Sequence, residues 1–386
     1  MTGRGMGVHS DFDAIVIGAG LAGSSMAAVL AEKGWRTLLI DRNSSPRHKA
    51  CGEFLSPEAA ALWRSLGLDS RIAGLGGANI DSLLLTAAEG SSLEVPLPAP
   101  ALGISRYRLD SALQEAAVYH GAELVHGCSV LQIRPKRNGY EVDIRGKSER
   151  TSIEARTVFG CWGRNAASSY AKQSRLPRSK ADKPLCIGIK VHVEGLPQCS
   201  RVELYFFQGG YIGLSPVEEG RHNLAALVSG AFFDRCGRNT AGVLSEACRQ
   251  NPALALRLEG GATVPGTEAG AYPVLVSKHT TAWGDVPHVG DAARVIPPLC
   301  GDGMAMALRS VAMCVELADR YLCGELSLEH WKKRYIRQMR RHGAGPAAWG
   351  RLLETVLCHP ALSQAALRLG ARMPGVAARL FRATRQ

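Results

Sequence analysis

The chain has 386 residues, 46% of them hydrophobic, with a formal net charge of +12. That is ample for a large core in one elaborated or two closely joined domains, and the absence of any run of 18 apolar residues argues against a membrane-spanning helix. Eleven cysteines, an odd number, without a CxxC pair or zinc spacing, point to neither a disulfide framework nor a metal site.

The charge is not spread evenly. Residues 331–386 hold twelve Lys or Arg against Glu354 alone, a surplus of +11, whereas the rest has 34 basic and 33 acidic residues, or +1. A basic helical tail suits an anionic membrane surface or an acidic carrier protein, or is simply a solvated face. It carries no nucleic-acid motif, and nucleic acid is not expected as a partner. The first eleven residues lack the apolar stretch of a secretory signal, so the expected location is cytoplasmic, with peripheral membrane association as the variant.

In chain order, Asp13 to Asp41 reads as a βαβ unit. The apolar run Ala14-Ile15-Val16-Ile17 is a buried parallel strand, and it ends in Gly18-Ala19-Gly20-Leu21-Ala22-Gly23. In this GxGxxG pattern Gly18 permits the tight turn, Gly20 lets backbone approach a pyrophosphate, and Gly23 lets the helix pack on the strand. Thr37 to Ile40 then delivers Asp41 to a strand tip, placed for ribose hydroxyls. A dinucleotide fits this unit, since the helix N-terminus offers free N–H groups to an anion.

Next comes a polar loop, Arg42 to Glu53, and a helix from Pro57 to Leu66 with Ser56 as its cap. Short strands, Ser82 to Thr86 and Leu93 to Val95, leave the first layer. A helix from Leu109 to His120, closed by Gly121, and strands near Glu123 to His126, Ser129 to Ile133 and Thr157 to Gly160 return to it.

From Cys186 to Ser229 the period changes to two. Ile187 to Val193, Val202 to Phe207, Tyr211 to Val217 and Asn223 to Val228 read as an antiparallel meander whose face lines an apolar cavity or forms plain core. After a helix from Thr240 to Gln250, a strand from Val286 to Asp291 is expected back in the first layer. There Gly290-Asp291, a Pro-stiffened loop and Gly301-Asp302-Gly303 open a helix from Met304 to Leu317. A flavin would use this second helix start as well: Asp291 for ribityl hydroxyls, the N-terminus for charge on the reduced ring.

These two stretches, with Arg106 between them, resemble the FAD-dependent oxidoreductases of the aromatic-hydroxylase fold, and most closely their geranylgeranyl-reductase-like branch. Lys49-Ala50-Cys51-Gly52-Glu53 resembles that branch's K-x-C-G-E/G loop, Gly209-Gly210-Tyr211 with Pro216 its G-G-Y…P pair, and Pro298 to Gly303 its P-L-x-G-E/D-G. The likeness covers about residues 11–325. It implies an α/β fold: a Rossmann-like FAD-binding domain (11–75, 104–180 and 276–325), an inserted antiparallel β-sheet substrate domain (76–103 and 181–275) and a basic helical C-terminal region (326–386). It implies FAD contacts at Gly18, Gly20, Ala22, Gly23, Asp41, Arg42, Arg106, Val130, Asp291, Gly301, Gly303 and Met304, with Cys51 and Gly52 beside the isoalloxazine.

NAD(P)H is the implied electron donor, although Cys161-Trp162-Gly163-Arg164-Asn165 replaces the Asp-Gly pair usual in hydroxylases. The W-x-W-x-I-P signature of many flavin halogenases is absent. As activity the resemblance implies first a flavin monooxygenase of secondary metabolism, acting on an aromatic, polyketide or lipid-like substrate through a flavin hydroperoxide. A flavin-dependent C=C reductase of the geranylgeranyl-reductase type, with Cys51 or Glu53 giving the proton, is the alternative. A flavin redox partner docking a carrier through the tail is a third. Cys51, Glu53 and Arg294 are the candidate catalytic residues.

Overall fold

The computed structural model describes residues 11–146, 149–164 and 186–373, so that Asn165, the expected boundary near residue 180 and the end of the tail lie outside it. The first part of the chain runs β1 (Phe12–Ile17), α1 (Leu21–Glu32), β2 (Thr37–Ile40), β3 (Phe54–Leu55), α2 (Glu58–Ser65), α3 (Asp69–Ala73), β4 (Ala78–Thr86), β5 (Ser92–Gly103) and α4 (Arg106–Tyr119). It continues with β6 (Glu123–Val125), β7 (Ser129–Lys136), β8 (Gly139–Arg145), β9 (Arg150–Gly160), β10 (Cys186–Glu194), β11 (Arg201–Phe207), β12 (Gly210–Pro216) and β13 (His222–Ser229). The remainder is α5 (Gly230–Arg235), α6 (Thr240–Gln250), α7 (Pro252–Arg257), β14 (Ala262–Thr263), β15 (Ala269–Val274), α8 (Gly303–Leu322), α9 (Leu328–Leu357) and α10 (Pro360–Arg372).

A six-stranded sheet has the order β6-β2-β1-β9-β8-β7, parallel from β6 through β9 and antiparallel beyond. The apolar run of β1 is at its centre, with Ala14, Ile15 and Val16 wholly buried, and α1 and α8 pack on one face. This is the α/β, Rossmann-like layer expected from the βαβ unit. The nine-stranded sheet, β14-β10-β13-β12-β11-β4-β5-β3 with β15 beside β10, forms the second layer. It is mostly antiparallel; β11 and β4 run parallel. Its back face carries Tyr205, Phe207, Ile212 and Leu224 into a core closed by Phe232, Val243 and Leu254 of α5 to α7. The aromatic side chains of Tyr205 and Phe207 are thus plain core.

Two local expectations are corrected, and one strand appears where none was expected. Val286 to Asp291 is not a strand: it makes only isolated bridges, Gly160 to His288 and Trp283 to Pro287, because Pro287 has no N–H to extend the ladder beside Gly160. Ser56 does not cap α2 but donates from Oγ to Asp302 Oδ1 at 2.8 Å, tying the start of α2 to the start of α8. Phe54–Leu55 belongs to the second sheet, reached through Glu53, whose φ of 54° turns the chain out of the first layer.

The tail is helical, and it packs on the molecule. Trp331, Tyr335 and Met339 of α9 join the core around α8. Leu357 and Leu367, near its end and on α10, pack with Phe206 and Tyr211 of the second sheet. No helix among the described residues is long and apolar enough to cross a membrane.

Candidate functional site

The turn after β1 is shaped by close approach. Gly18 has φ 105°, and a Cβ there would lie 2.5 Å from Cys161 O; a Cβ at Gly23 would lie 1.8 Å from Gly18 O. No larger residue fits either place without backbone movement. Over Gly20 stand two cations: its Cβ position is 3.1 Å from Lys49 Nζ and 3.6 Å from Arg106 Nη2. Both bond buried Asp110, Lys49 Nζ at 2.6 Å from Oδ2 and Arg106 Nη2 at 3.0 Å from each oxygen. Burial alone would raise the Asp110 carboxyl, but the Arg106 and Lys49 charges overcome it and hold the group below its ordinary range. Two cations against one carboxylate leave positive charge beside a helix N-terminus, which suits a pyrophosphate.

The second helix start comes to the same place. A Cβ at Gly290 would be 3.0 Å from the Cβ of Ala22, so the turn after His288 packs directly on α1. Asp291 lies there, its carboxyl raised by burial against the opposing pull of Arg164, Arg106 and Lys49. A Cβ at Gly52 or Gly303 meets nothing within 4 Å. Crowded glycines at one end, open ones at the other and cations between them form a groove that fits FAD. Asp41 serves the turn itself: Oδ2 accepts from Ala19 N at 2.8 Å and Oδ1 from Asn43 N at 2.8 Å, which holds the carboxylate at the strand tip.

Beyond Cys51 the groove meets a cavity of about 130 Å³ under the second sheet. Its walls are Leu83, Leu97, Val202, Leu204, Leu227 and Val274 from the sheet, Ala50, Cys51 and Gly52 from the loop, and Pro298 to Gly301. Arg164, Tyr211, Ser215 and the thiols of Cys51 and Cys300 are the polar side chains there; no carboxylate lines it among the described residues. The Cys51 side chain interacts electrostatically with Arg106 and lines the cavity, so this sulfur stands between the cationic groove and the apolar cavity.

Glu53 does not face that cavity. It is wholly buried, with Oε1 accepting from Lys190 Nζ at 3.0 Å and from Arg106 N at 2.9 Å, and Oε2 lying 2.6 Å from His192 Nε2. Lys190 Nζ also reaches His48 Nδ1 at 2.8 Å. Burial would raise the Glu53 carboxyl; the His192 bond and the Lys190 charge reverse this and lower it. His48, Glu53 and His192 bring potential metal-ligand atoms within 4.8 Å of one another. The Lys190 ammonium sits among them and serves as the cation.

Of the other expected site residues, Gly301 lines the cavity, and Met304 is buried at the start of α8. Val130 is buried in the far core of the first sheet, and Arg42 is exposed. Arg294 is not brought to Cys51: Nη1 donates to Thr280 Oγ1 at 2.7 Å, and the guanidinium faces Arg351 of α9. Sequence reasoning missed Lys190 and His192 as partners of Glu53. Their signal was present, since Gly188, Lys190 and His192 share one face of an otherwise apolar strand. It also passed over Arg164, whose Nη2 donates to Ala50 O at 2.7 Å and whose Nε lies 3.6 Å from Asp291, linking the Cys51 loop to the second helix start.

The profile of a family described as FAD binding domain matches residues 11–322. Menaquinone reductase of Mycolicibacterium smegmatis is 26% identical over 342 residues, covering 79% of this chain and 76% of that protein. Digeranylgeranylglycerophospholipid reductase 2 of Methanopyrus kandleri is 27% identical over 334 residues, covering 84% and 81%. Among solved structures, the flavin-dependent brominase Bmp2 superposes with a TM-score of 0.77 at 18% identity over 97% of this chain and 93% of that one. The myxobacterial chondrochloren halogenase CndH gives 0.75 at 20% identity, over 89% and 81%. At such identities the structural likeness concerns the fold.

Proposed function

Because this chain belongs to the FAD binding domain family and is an FAD-dependent oxidoreductase, we propose that it reduces a carbon–carbon double bond in an apolar, isoprenoid-like substrate held beneath the nine-stranded sheet. The observation that carries this reading is the donor set of the cavity. Its wall is aliphatic, it holds no carboxylate among the described residues, and Cys51 presents a thiol where it meets the groove. A hydrocarbon chain is favoured by such a wall.

FAD supplies the electron pair when bound. Gly18 and Gly23 let the turn and α1 pack closely, Gly20 would let its phosphates approach backbone N–H groups, and Lys49 and Arg106 would balance their charge. The Cys51 thiol, at the junction of the groove and the cavity, gives a proton to the substrate carbon. Glu53, Lys190 and His192 hold the loop that positions Cys51 and Gly52. The sheet and the Pro298 to Gly301 loop exclude water.

This donor set reverses the order that family resemblance suggested. Hydroxylation is the second reading, favoured by one observation: the Arg164 guanidinium lines the cavity and would suit a phenolate oxygen. NAD(P)H is the proposed source of electrons in either case.

Anaerobic mixing of the reduced holoprotein with a polyprenyl alcohol, which has no quinone ring to take the electrons, separates the readings. Reduction predicts flavin reoxidation without oxygen and a product heavier by H2. Cys51→Ala should lose turnover by a factor on the order of 100 with FAD content unchanged. Reoxidation only by oxygen, with one oxygen atom in the product, would overturn reduction in favour of hydroxylation.

A further inference from the structure

We propose that α9 and α10 form a docking surface for an anionic lipid bilayer, set against the outer wall of the apolar cavity. The first observation is charge at helical spacing. Arg334, Arg337 and Arg341 follow one another at three and four residues along α9, flanked by Lys332, Lys333 and Arg340, and all six are exposed. Among the described residues only Lys333 of these has an acidic partner, Glu329 at 2.7 Å. From Leu328 to Met373 there are nine Lys or Arg against Glu329 and Glu354.

The second observation is apolar and independent of the first. Continued by the same three- and four-residue steps, the exposed face of α9 reaches Leu352, which is 52% exposed. On α10 and at its C-terminal cap, Leu362, Leu369 and Met373, at intervals of seven and four, are 47%, 60% and 49% exposed, with Arg368 and Arg372 exposed beside them. A row of large apolar side chains in water, edged by arginines, has the composition of a helix that lies in a membrane interface. An acidic protein would account for the cations but leave the leucines unexplained.

The third observation is position. The opposite side of this helix pair, through Leu353, Leu357 and Leu367, packs on Leu204, Tyr211 and Leu227, which also line the cavity. Gly350 of α9 lies against the Pro297 to Cys300 loop, a Cβ there falling 2.2 Å from Cys300 Sγ. One layer of helix therefore separates the cavity from the exposed leucines. A substrate dissolved in a membrane would have the shortest route to the site through this layer. That last step rests on the function proposed above; the lipid surface itself does not.

Flotation of the full-length FAD-loaded protein with phosphatidylcholine vesicles, with or without phosphatidylglycerol, reads the surface without reference to turnover. The wild type should float with the phosphatidylglycerol vesicles and not with phosphatidylcholine alone. Since each cation near an anionic surface contributes about 1 kcal/mol, Arg334→Gln/Arg337→Gln/Arg341→Gln should weaken partitioning on the order of 100-fold. Leu362→Ser/Leu369→Ser, exposed positions that leave the core intact, should weaken it too, with flavin content as the folding control. Failure of the wild type to float, or unchanged flotation of both variants, overturns the proposal. Flotation lost in the arginine variant but unaltered in the leucine variant also overturns it, and favours an acidic carrier protein.

Discussion

His192 Nε2 lies 2.6 Å from Glu53 Oε2, and both side chains are buried away from solvent. With Lys190 on the other carboxylate oxygen, β10 grips the loop that carries Cys51. Glu53→Gln leaves the Lys190 charge buried without its counter-ion, and the expected loss is about 3–5 kcal/mol. Urea denaturation of the holoprotein measures this. Glu53→Gln/Lys190→Met should recover part of the loss, since the orphaned charge is gone.

Acid should weaken the fold in two stages. Burial, and then the positive charges of Lys190 and His192, push His48 down from 6.5 to about 4. Between those values the unfolded chain binds more protons than the folded one, so stability falls as the pH drops through that window. Glu53, whose carboxyl is lowered in the fold, adds a further loss as the pH falls through its folded pKa. In urea midpoints measured against pH, His48→Gln should flatten the slope between about 6.5 and 4 and leave the more acidic loss in place. An unchanged slope would remove His48 as the cause.

Two glycines should respond differently to the same methyl group. At Gly23 the Cβ would meet Gly18 O at 1.8 Å, so Gly23→Ala must displace α1 from the strand. The expected result is a protein that is less stable by about 2 kcal/mol or more and poor in flavin. At Gly52 the Cβ meets no atom within 4 Å, so Gly52→Ala should keep its denaturation midpoint while weakening FAD binding, because the methyl group would enter the groove. Flavin fluorescence titration beside urea denaturation distinguishes the two effects.

Leu367 is 1% exposed where α10 meets the second sheet. Leu367→Ala should cost about 2–4 kcal/mol in unfolding free energy. It should also loosen the wall behind Tyr211. A comparison of turnover with polyprenyl probes of increasing length would then show relative gain for the longer ones.

The βαβ unit was legible because few residues satisfy its geometry: Gly18 and Gly23 each face backbone oxygen where a Cβ cannot go. The meander was legible through its period of two, and the helix from Thr240 to Gln250 stands where it was expected. The strand expected at Val286 to Asp291 failed because an apolar run with one proline supports a bridge as readily as a ladder. Ser56 was misread because a hydroxyl before a helix can serve a distant carboxylate, here Asp302, as well as its own helix. The Glu53 partners were hidden for a different reason. Lys190 and His192 lie over 130 residues from Glu53 in sequence, and only the packing of β10 against the Cys51 loop pairs them. Arg294, chosen for its neighbours in sequence, turns to Thr280, since position beside a turn does not fix side-chain direction.

Gly350 gives the long helix a further meaning. Where it crosses the Cys300 loop there is no room even for a methyl group, so backbone and thiol touch as two parts of one bearing surface. Any tilt of α9 against its surroundings must press on the loop that leads into Gly303 and the open groove beside it. The outside of the molecule and the edge of the flavin site are thereby mechanically joined, with no compressible material between them.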